Sequence, residues 1–361
     1  MLLDPLEEEF HLPTALVERA DGLGRVDVPL FTSKDPMTSP IDDDIPEPVL
    51  YRWSVHDAYL MSVLAPGMRV IDVKPAESAR SALERILDAA SPPRLVIVHI
   101  DASMPAQFVR PLDELNQCLL DRGIEVWNCS VGDIRKTAVQ AHNEGLGLPS
   151  TRASRDGPLE ELLIVKTNLN SRGCPEWSLS PETRQALGWP PPKESPLHWT
   201  SEYLVMPRGR IPANWWLDDQ AAIERYVDNR YGLFYRTYFC GEAVVLCEGT
   251  ANTTVRRMRD ADNRYDFLLS RDLAIDEAAV SSLETPAADV FCAAVVYAET
   301  LGLDYGSIDF VVDDGGVPYV IDVNLTPYWG SSPGDGDMLR HLRQGFGPCG
   351  YQRADADGRF A

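Results

Sequence analysis

A chain of 361 residues with 44% hydrophobic side chains is long enough for one large or two to three ordinary domains with real cores, which sets aside the disordered and fibrous classes. Its 55 acidic against 33 basic side chains leave a formal charge of −22. Such a field repels polyanions, so no nucleic acid partner is expected. The N-terminal twenty residues carry acids where a secretory signal has basic residues and an apolar run, and no stretch approaches the roughly 20 apolar residues of a membrane span. A soluble, cytoplasmic protein without membrane contact is the expectation.

Residues 1–48, with PIDDDIPEP at 40–48, lack periodicity and read as an extended arm. From Val49 the pattern alternates: helix 56–65, strand 68–73, helix 77–90, strand 94–100, helix 107–121, strand 123–128, helix 133–145. RLVIVHI (94–100) is continuously apolar, as suits a parallel strand covered on both faces, and the alternation predicts a small doubly wound α/β domain. No GxGxxG follows any of these strands, so a dinucleotide site is not expected.

After Pro149 come a strand at 161–168, a Gly- and Pro-rich stretch to about 215, and a helix over 218–227. Two strands, LFYRTYFC (233–240) and AVVLCEGT (243–250), read as a hairpin turning at Gly241-Glu242. A helix at 286–301 precedes a second pair, YGSIDFVVD (305–313) and VPYVIDVN (317–324), joined by Asp314-Gly315-Gly316. Trp177, Trp189, Trp199, Trp215 and Trp216 either line a pocket or pack.

The seven cysteines include no CxxC pair and the six histidines stand singly, so neither a disulfide framework nor a zinc site is expected. The second hairpin carries the chemistry. Asp322 and Asn324 are two apart and project from one face; if the hairpin pairs around its turn, Asp309 comes within reach of them. Two carboxylates and an amide oxygen are hard ligands suited to Mg²⁺ shared with phosphates, and burying the carboxylates without a cation is costly. The alternative is that Asp322 and Asn324 simply open the loop NLTP through capping or Asx-turn bonds.

Asp322-Val323-Asn324 with Pro327 resembles the metal-bearing strand of the ATP-grasp superfamily, which commonly reads Glu-x-Asn followed closely by Pro. Aspartate here replaces glutamate, which leaves one or two Mg²⁺ open. The likeness continues upstream in order. Lys136, on a helix leading to a Gly-Leu-Pro turn, is similar to the family's first nucleotide-contacting lysine, and Lys166, ending LLIVK and opening TNLNSRG, to its strand lysine before a phosphate-covering loop. That loop, Asn168 to Gly173, has one glycine where many relatives have several; Asn168 is placed in the nucleotide site. IERYVDN (223–229) resembles the adenine hinge, with Glu224 and Val227 at the hinge and Asp228 accepting from ribose hydroxyls, although the same residues also read as an amphipathic helix end. Arg236 resembles the arginine opening the large-lobe sheet and is the candidate for stabilising the transferred phosphoryl group; Arg256-Arg257 follow the next strand.

The likeness covers about residues 130–330. It implies an α/β architecture in which a small parallel-sheet domain (49–132) precedes a two-lobed α+β ATP-grasp fold: linker helix and small lobe (133–225), then large lobe with the metal hairpin (226–330). A C-terminal helix and tail (331–361) follow. The implied cofactors are ATP and Mg²⁺, held on Asp309, Asp322 and Asn324 with Lys166 and Arg236 as catalytic groups. The implied reaction joins a small carboxylic acid to an amine, amino acids or peptides among the candidates, with a homodimer left open. Two alternatives remain: a small-molecule kinase, since VIDVNLTPYWG also looks similar to inositol trisphosphate kinases, and a nucleotide-binding module without turnover.

Overall fold

The structure is a computed structural model that describes residues 48–53, 59–65, 67–74, 77–88, 92–100, 110–170, 180–186, 203–258, 261–268, 286–327 and 336–346, with 283. The N-terminal arm before 48, the loop residues 171–173, Trp177, Trp189, Trp199 and the tail beyond 346 lie outside the described residues.

The N-terminal sheet is built from β1 (Val49–Arg52), β2 (Arg69–Asp72), β3 (Leu95–His99) and β4 (Glu125–Trp127), all parallel in the order β2-β1-β3-β4. The helices are α1 (Tyr59–Leu64), α2 (Ala79–Leu87) and α3 (Arg110–Leu120). Every residue of β3 is buried. Its Val96 and Val98 pack with Tyr51 of β1 against Ala82 and Ile86 of α2 and Leu115 and Leu119 of α3. Leu95 and Ile97 point the other way, with Leu60 and Met61 of α1, so both faces are covered as a continuous apolar strand requires. The domain begins at Val49 as expected, but no strand is predicted there; four residues are too short to show a period, and pairing on both sides makes VLYR a central strand.

A linker helix, α4 (Lys136–Leu146), ends at Gly147, whose left-handed φ of 70° lets its N–H reach back to the carbonyls of Asn143 and Glu144. An antiparallel sheet of order β6-β5-β7 follows: β5 (Leu162–Thr167), β6 (Leu204–Pro207) and β7 (Ala221–Arg225). A short helix, α5 (Pro181–Ala186), lies between β5 and β6 in the chain. The helix expected over 218–227 is thus overturned. Asp218 turns the chain instead, accepting from the backbone N–H groups of Gln220 (3.0 Å) and Ala221 (3.1 Å). The Ala- and Glu-rich segment is then captured along its length by β5, tertiary pairing overriding local helix propensity. Leu163, Val165, Leu204, Met206 and Ile223 pack on one face with Trp215 and Trp216.

The largest sheet has the antiparallel order β10-β9-β8-β11-β12, from β8 (Leu233–Cys240), β9 (Ala243–Thr250), β10 (Asp262–Leu268), β11 (Tyr305–Val312) and β12 (Pro318–Asn324). Both expected hairpins form, β8 with β9 around Gly241 (φ 56°) and β11 with β12; β10 is a further strand, not predicted from the sequence. In the β11–β12 turn Asp313 Oδ1 accepts from the N–H groups of Gly315 (3.0 Å) and Val317 (2.9 Å). Helix α6 (Ala287–Leu301) lays Val290, Phe291, Ala294 and Val295 on Tyr235, Phe239, Ile308, Phe310, Val320 and Val323. A final helix, α7 (Gly336–Arg343), places Met338 and Leu342 with Tyr238, Tyr305 and the α1 side chains. Among the described residues no helix is long and apolar enough to cross a membrane.

Two polar clamps fix how these layers meet. Asn128, after β4, sits at φ 60°. Its Oδ1 accepts from the N–H groups of Asp304 (2.9 Å) and Tyr305 (3.0 Å), and its Nδ2 donates to the Tyr305 carbonyl (2.7 Å). Gln140 and Asn143 of α4 both donate to the Val320 carbonyl on β12, at 2.9 and 3.1 Å.

Candidate active site

Strand alternation decides which side chains face the cleft between the two antiparallel sheets. On β11, Ile308, Phe310 and Val312 enter the core beneath α6, so Ser307, Asp309 and Val311 lie on the opposite face. Asp309 pairs with Asp322 of β12, while the next residue, Phe310, pairs with Val320. Ile321 is therefore an extra residue in β12, a bulge. Without it Asp322 and Asn324 would share the core face of Val320; with it Asp322 lies directly across from Asp309, and Asn324 from Ser307. On the other side Asp309 pairs with Arg236 of β8. Three adjacent strands thus carry a row of Arg236, Asp309 and Asp322.

Two carboxylates directly opposite one another repel, and each is matched by a cation. Arg236 makes a fork with Asp309, Nε to Oδ1 at 2.5 Å and Nη2 to Oδ2 at 2.7 Å. Burial alone would push the Arg236 guanidinium down, but Asp309 holds it well above the usual arginine range. Lys136, at the first turn of α4 and buried to 1% exposure, reaches across to Asp322 Oδ1 at 2.7 Å. Here too burial opposes the charge, and Asp322 nevertheless raises the ammonium above the usual lysine range. A second bond runs from Lys136 Nζ to Asn170 Oδ1 (3.0 Å), and Asn170 Nδ2 donates to the Val323 carbonyl (2.8 Å).

On the small sheet, Ile164 is opposite Glu224 and Lys166 opposite Ala222, so Lys166 and Glu224 share the face away from the tryptophans. Lys166 Nζ meets Glu224 Oε2 at 2.7 Å with both side chains nearly fully buried. The Thr151 hydroxyl donates to the same oxygen (2.8 Å), while Glu224 Oε1 is buried with no hydrogen-bond partner. Tyr203, immediately before β6, stands in the electrostatic reach of both lobes. Burial, with the Asp322, Glu224 and Asp309 carboxylates, pushes its phenol up, against the opposing effect of Lys136.

The structure therefore gathers Lys136, Lys166, Glu224, Arg236, Asp309 and Asp322 around one cleft. The other expected residues have local partners. Asn168 Oδ1 accepts from the Thr137 N–H (3.0 Å) and hydroxyl (3.1 Å) at the start of α4, and its Nδ2 donates to the Asp219 carbonyl. Asp228 is buried in an ion pair with Arg256 and accepts from the Asn229 N–H at 2.8 Å. Val227 packs with Val317 and Tyr319. Asn324 Oδ1 accepts from the N–H (2.8 Å) and hydroxyl (3.3 Å) of Thr326, the Asx-turn bonding that the sequence left as an alternative. Asn170 and Tyr203 are additions: Asn170 falls in the loop singled out from the sequence, whereas Tyr203 carries no signal there.

For a divalent cation the donor set is hard oxygen, Asp309 and Asp322 side by side, with the Asp322 side chain 26% exposed. That suits Mg²⁺, which takes one or two carboxylates and fills its other positions with phosphate and water oxygens. Among the described residues no group of three or more His, Cys, Asp or Glu is gathered, so soft or all-protein coordination has no counterpart there.

No protein-family model matches the sequence, and no curated protein matches it. Solved structures do. The ATP-grasp ligase PsnB, solved with a variant of its minimal precursor, Mg and ADP, is 13% identical, with a TM-score of 0.45 over 82% of this chain and 97% of that one. The D-cycloserine synthetase DcsG is 13% identical, with a TM-score of 0.40 over 82% of this chain and 97% of that one. D-alanyl-alanine synthetase A from Vibrio cholerae is 13% identical, with a TM-score of 0.41 over 84% of this chain and 97% of its own. Over most of its length the chain is similar to ATP-grasp ligases.

Proposed function

We propose that this chain is an ATP-dependent ligase that activates a small-molecule carboxylate and joins it to an amine, releasing ADP and phosphate. The observation that supports this reading is the row of Arg236, Asp309 and Asp322 across three adjacent strands, with Lys136 in contact with its outer end. Three cations and three carboxylates, each in a pair, form a neutral set with fixed positions, the preorganised surroundings that phosphoryl transfer uses.

Lys136 and Lys166 act as point charges for phosphate oxygens, and Arg236, whose Nε and Nη2 hold Asp309, offers its remaining N–H groups to the transferred group. Asp309 and Asp322 would hold Mg²⁺ with Asn324 beside them; bound there, the ion would neutralise phosphate charge and orient the chain of phosphates. A substrate carboxylate oxygen attacks the γ-phosphorus as the bond to the ADP oxygen breaks. The amine then attacks the acyl carbon, phosphate leaves, and the amine nitrogen loses a proton. Glu224 on β7 and Val227 just beyond its end are assigned to the adenine side. The acidic surface favours neutral or cationic substrates, amino acids and peptides among them, over polyanions.

The test is release of ADP and phosphate from Mg-ATP with a panel of acids and amines, alone and in pairs, with mass spectrometry of the product. Turnover that requires both partners and gives a product lighter than their sum by one water supports the ligase. A phosphorylated single substrate would replace it with a kinase, and unchanged turnover in Asp322→Asn would remove the metal assignment.

A further inference from the structure

Lys136 is placed where a nucleotide-contacting lysine is expected, yet its ammonium is already committed. It is 1% exposed, 2.7 Å from Asp322 Oδ1 and 3.0 Å from Asn170 Oδ1. The same Asp322 oxygen accepts from the Val323 N–H (3.1 Å), so Oδ1 has no room for a metal at the usual Mg–O distance of about 2.0–2.1 Å unless the lysine withdraws. A cation on the other oxygen of the same carboxylate would stand within a few ångströms of the ammonium, a separation at which like charges repel strongly in a partly buried site.

The anchoring leaves Lys136 little freedom to step aside. Its own N–H donates to the Asn168 carbonyl (3.1 Å), and Asn168 in turn bonds the N–H of Thr137. Asn170 ties the lysine end to the Val323 carbonyl beside the metal carboxylate. An added anion between the two cations removes the repulsion without moving the helix.

We infer that Lys136 is the resident counter-ion of Asp322 and acts as a positioning residue that couples metal binding to polyphosphate binding. In the nucleotide-free protein the ammonium keeps a divalent cation off Asp322; phosphate oxygens entering the cleft take up the ammonium and let the metal settle. The inference rests on the reading of Asp322 as a metal ligand. By linkage, polyphosphate and metal then strengthen one another's binding by the same factor.

Mn²⁺ serves as the probe, its free fraction followed by electron paramagnetic resonance with the full chain, without nucleotide and with an ATP analogue carrying a β,γ-imido bridge. The expected result is weak Mn²⁺ binding by the nucleotide-free parent, about 10-fold or more tighter binding in nucleotide-free Lys136→Met, and no tightening in Lys136→Arg, which keeps the charge. A merely structural lysine would weaken the site on removal, so the direction separates the two roles. Lys136→Gln, which keeps a donor for Asp322 and Asn170, repeats the measurement should the methionine variant not fold. Equal or weaker Mn²⁺ binding in the neutral variants overturns the coupling. The underlying reading fails separately: Asp322→Asn that binds Mn²⁺ with the analogue as the parent does would show that the carboxylate is no ligand.

Discussion

The Lys166–Glu224 pair is the sharpest test of how the cleft is held together. Both side chains are at most 5% exposed, and Glu224 retains one neutral donor, the Thr151 hydroxyl, besides the lysine. Replacing Lys166 by methionine keeps the stem's volume but strands a carboxylate whose Oε1 is already buried and unpartnered. Breaking one side of such a buried pair costs about 3–5 kcal/mol, a large share of the roughly 5–15 kcal/mol that holds a fold. Urea denaturation followed by tryptophan fluorescence reads it: with a slope of about 3 kcal/mol per molar, the midpoint falls by about 1 M or more. The double variant Lys166→Met/Glu224→Leu removes the stranded charge as well. It recovers most of the loss, so the two substitutions are strongly non-additive. A single variant within about 0.5 kcal/mol of the parent, or a double variant as unstable as the sum of the singles, would refute the reasoning.

Asn128→Ala removes three hydrogen bonds that join the parallel sheet to β11 and leaves a residue with a Cβ at φ 60°. A loss of about 3–4 kcal/mol is expected in the same assay, with Asn128→Gly recovering about 1 of it by relieving the backbone. His142 stands edge-on to Tyr297 at 4.7 Å between ring centres, and burial pushes its imidazole below the ordinary value. The unfolded chain therefore binds the proton more readily, so this contribution is present above the ordinary histidine value and is lost as pH falls through the lowered one. Stability curves of the parent and His142→Leu measured from about pH 5 to pH 8 should diverge on the acid side; parallel curves would contradict the assignment. Arg236→Lys keeps the charge on β8 but loses the fork to Asp309, and turnover should fall about 100-fold or more, read as kcat in the coupled ADP assay; an unchanged kcat would remove Arg236 from the phosphoryl site.

Local chemistry alone determined a good deal. The unbroken apolar run of β3 can be satisfied only by cover on both faces, so it declares a parallel sheet. Gly241 and the Asp314-Gly315-Gly316 turn announce their hairpins because few residues tolerate those backbone angles. Lys166, Arg236, Asp309 and Asp322 stood out as charges set at the ends or in the middle of apolar segments, positions that need a reason, whereas Lys136 was singled out only by resemblance. What only the tertiary structure decided are matters of partnership. Residues 221–225 carry a helical pattern and become β7 because β5 supplies a ladder. The Ile321 bulge, invisible in a composition of alternating apolar residues, turns Asp322 away from the core and toward Asp309. Asn168 and Asp228, polar in loops and free to serve a ligand as far as sequence can say, are taken by the start of α4 and by Arg256. The commitment of Lys136 to Asp322, 186 positions away in the chain, depends on where α4 docks on β12, and long-range docking of that kind leaves no periodic trace in the sequence.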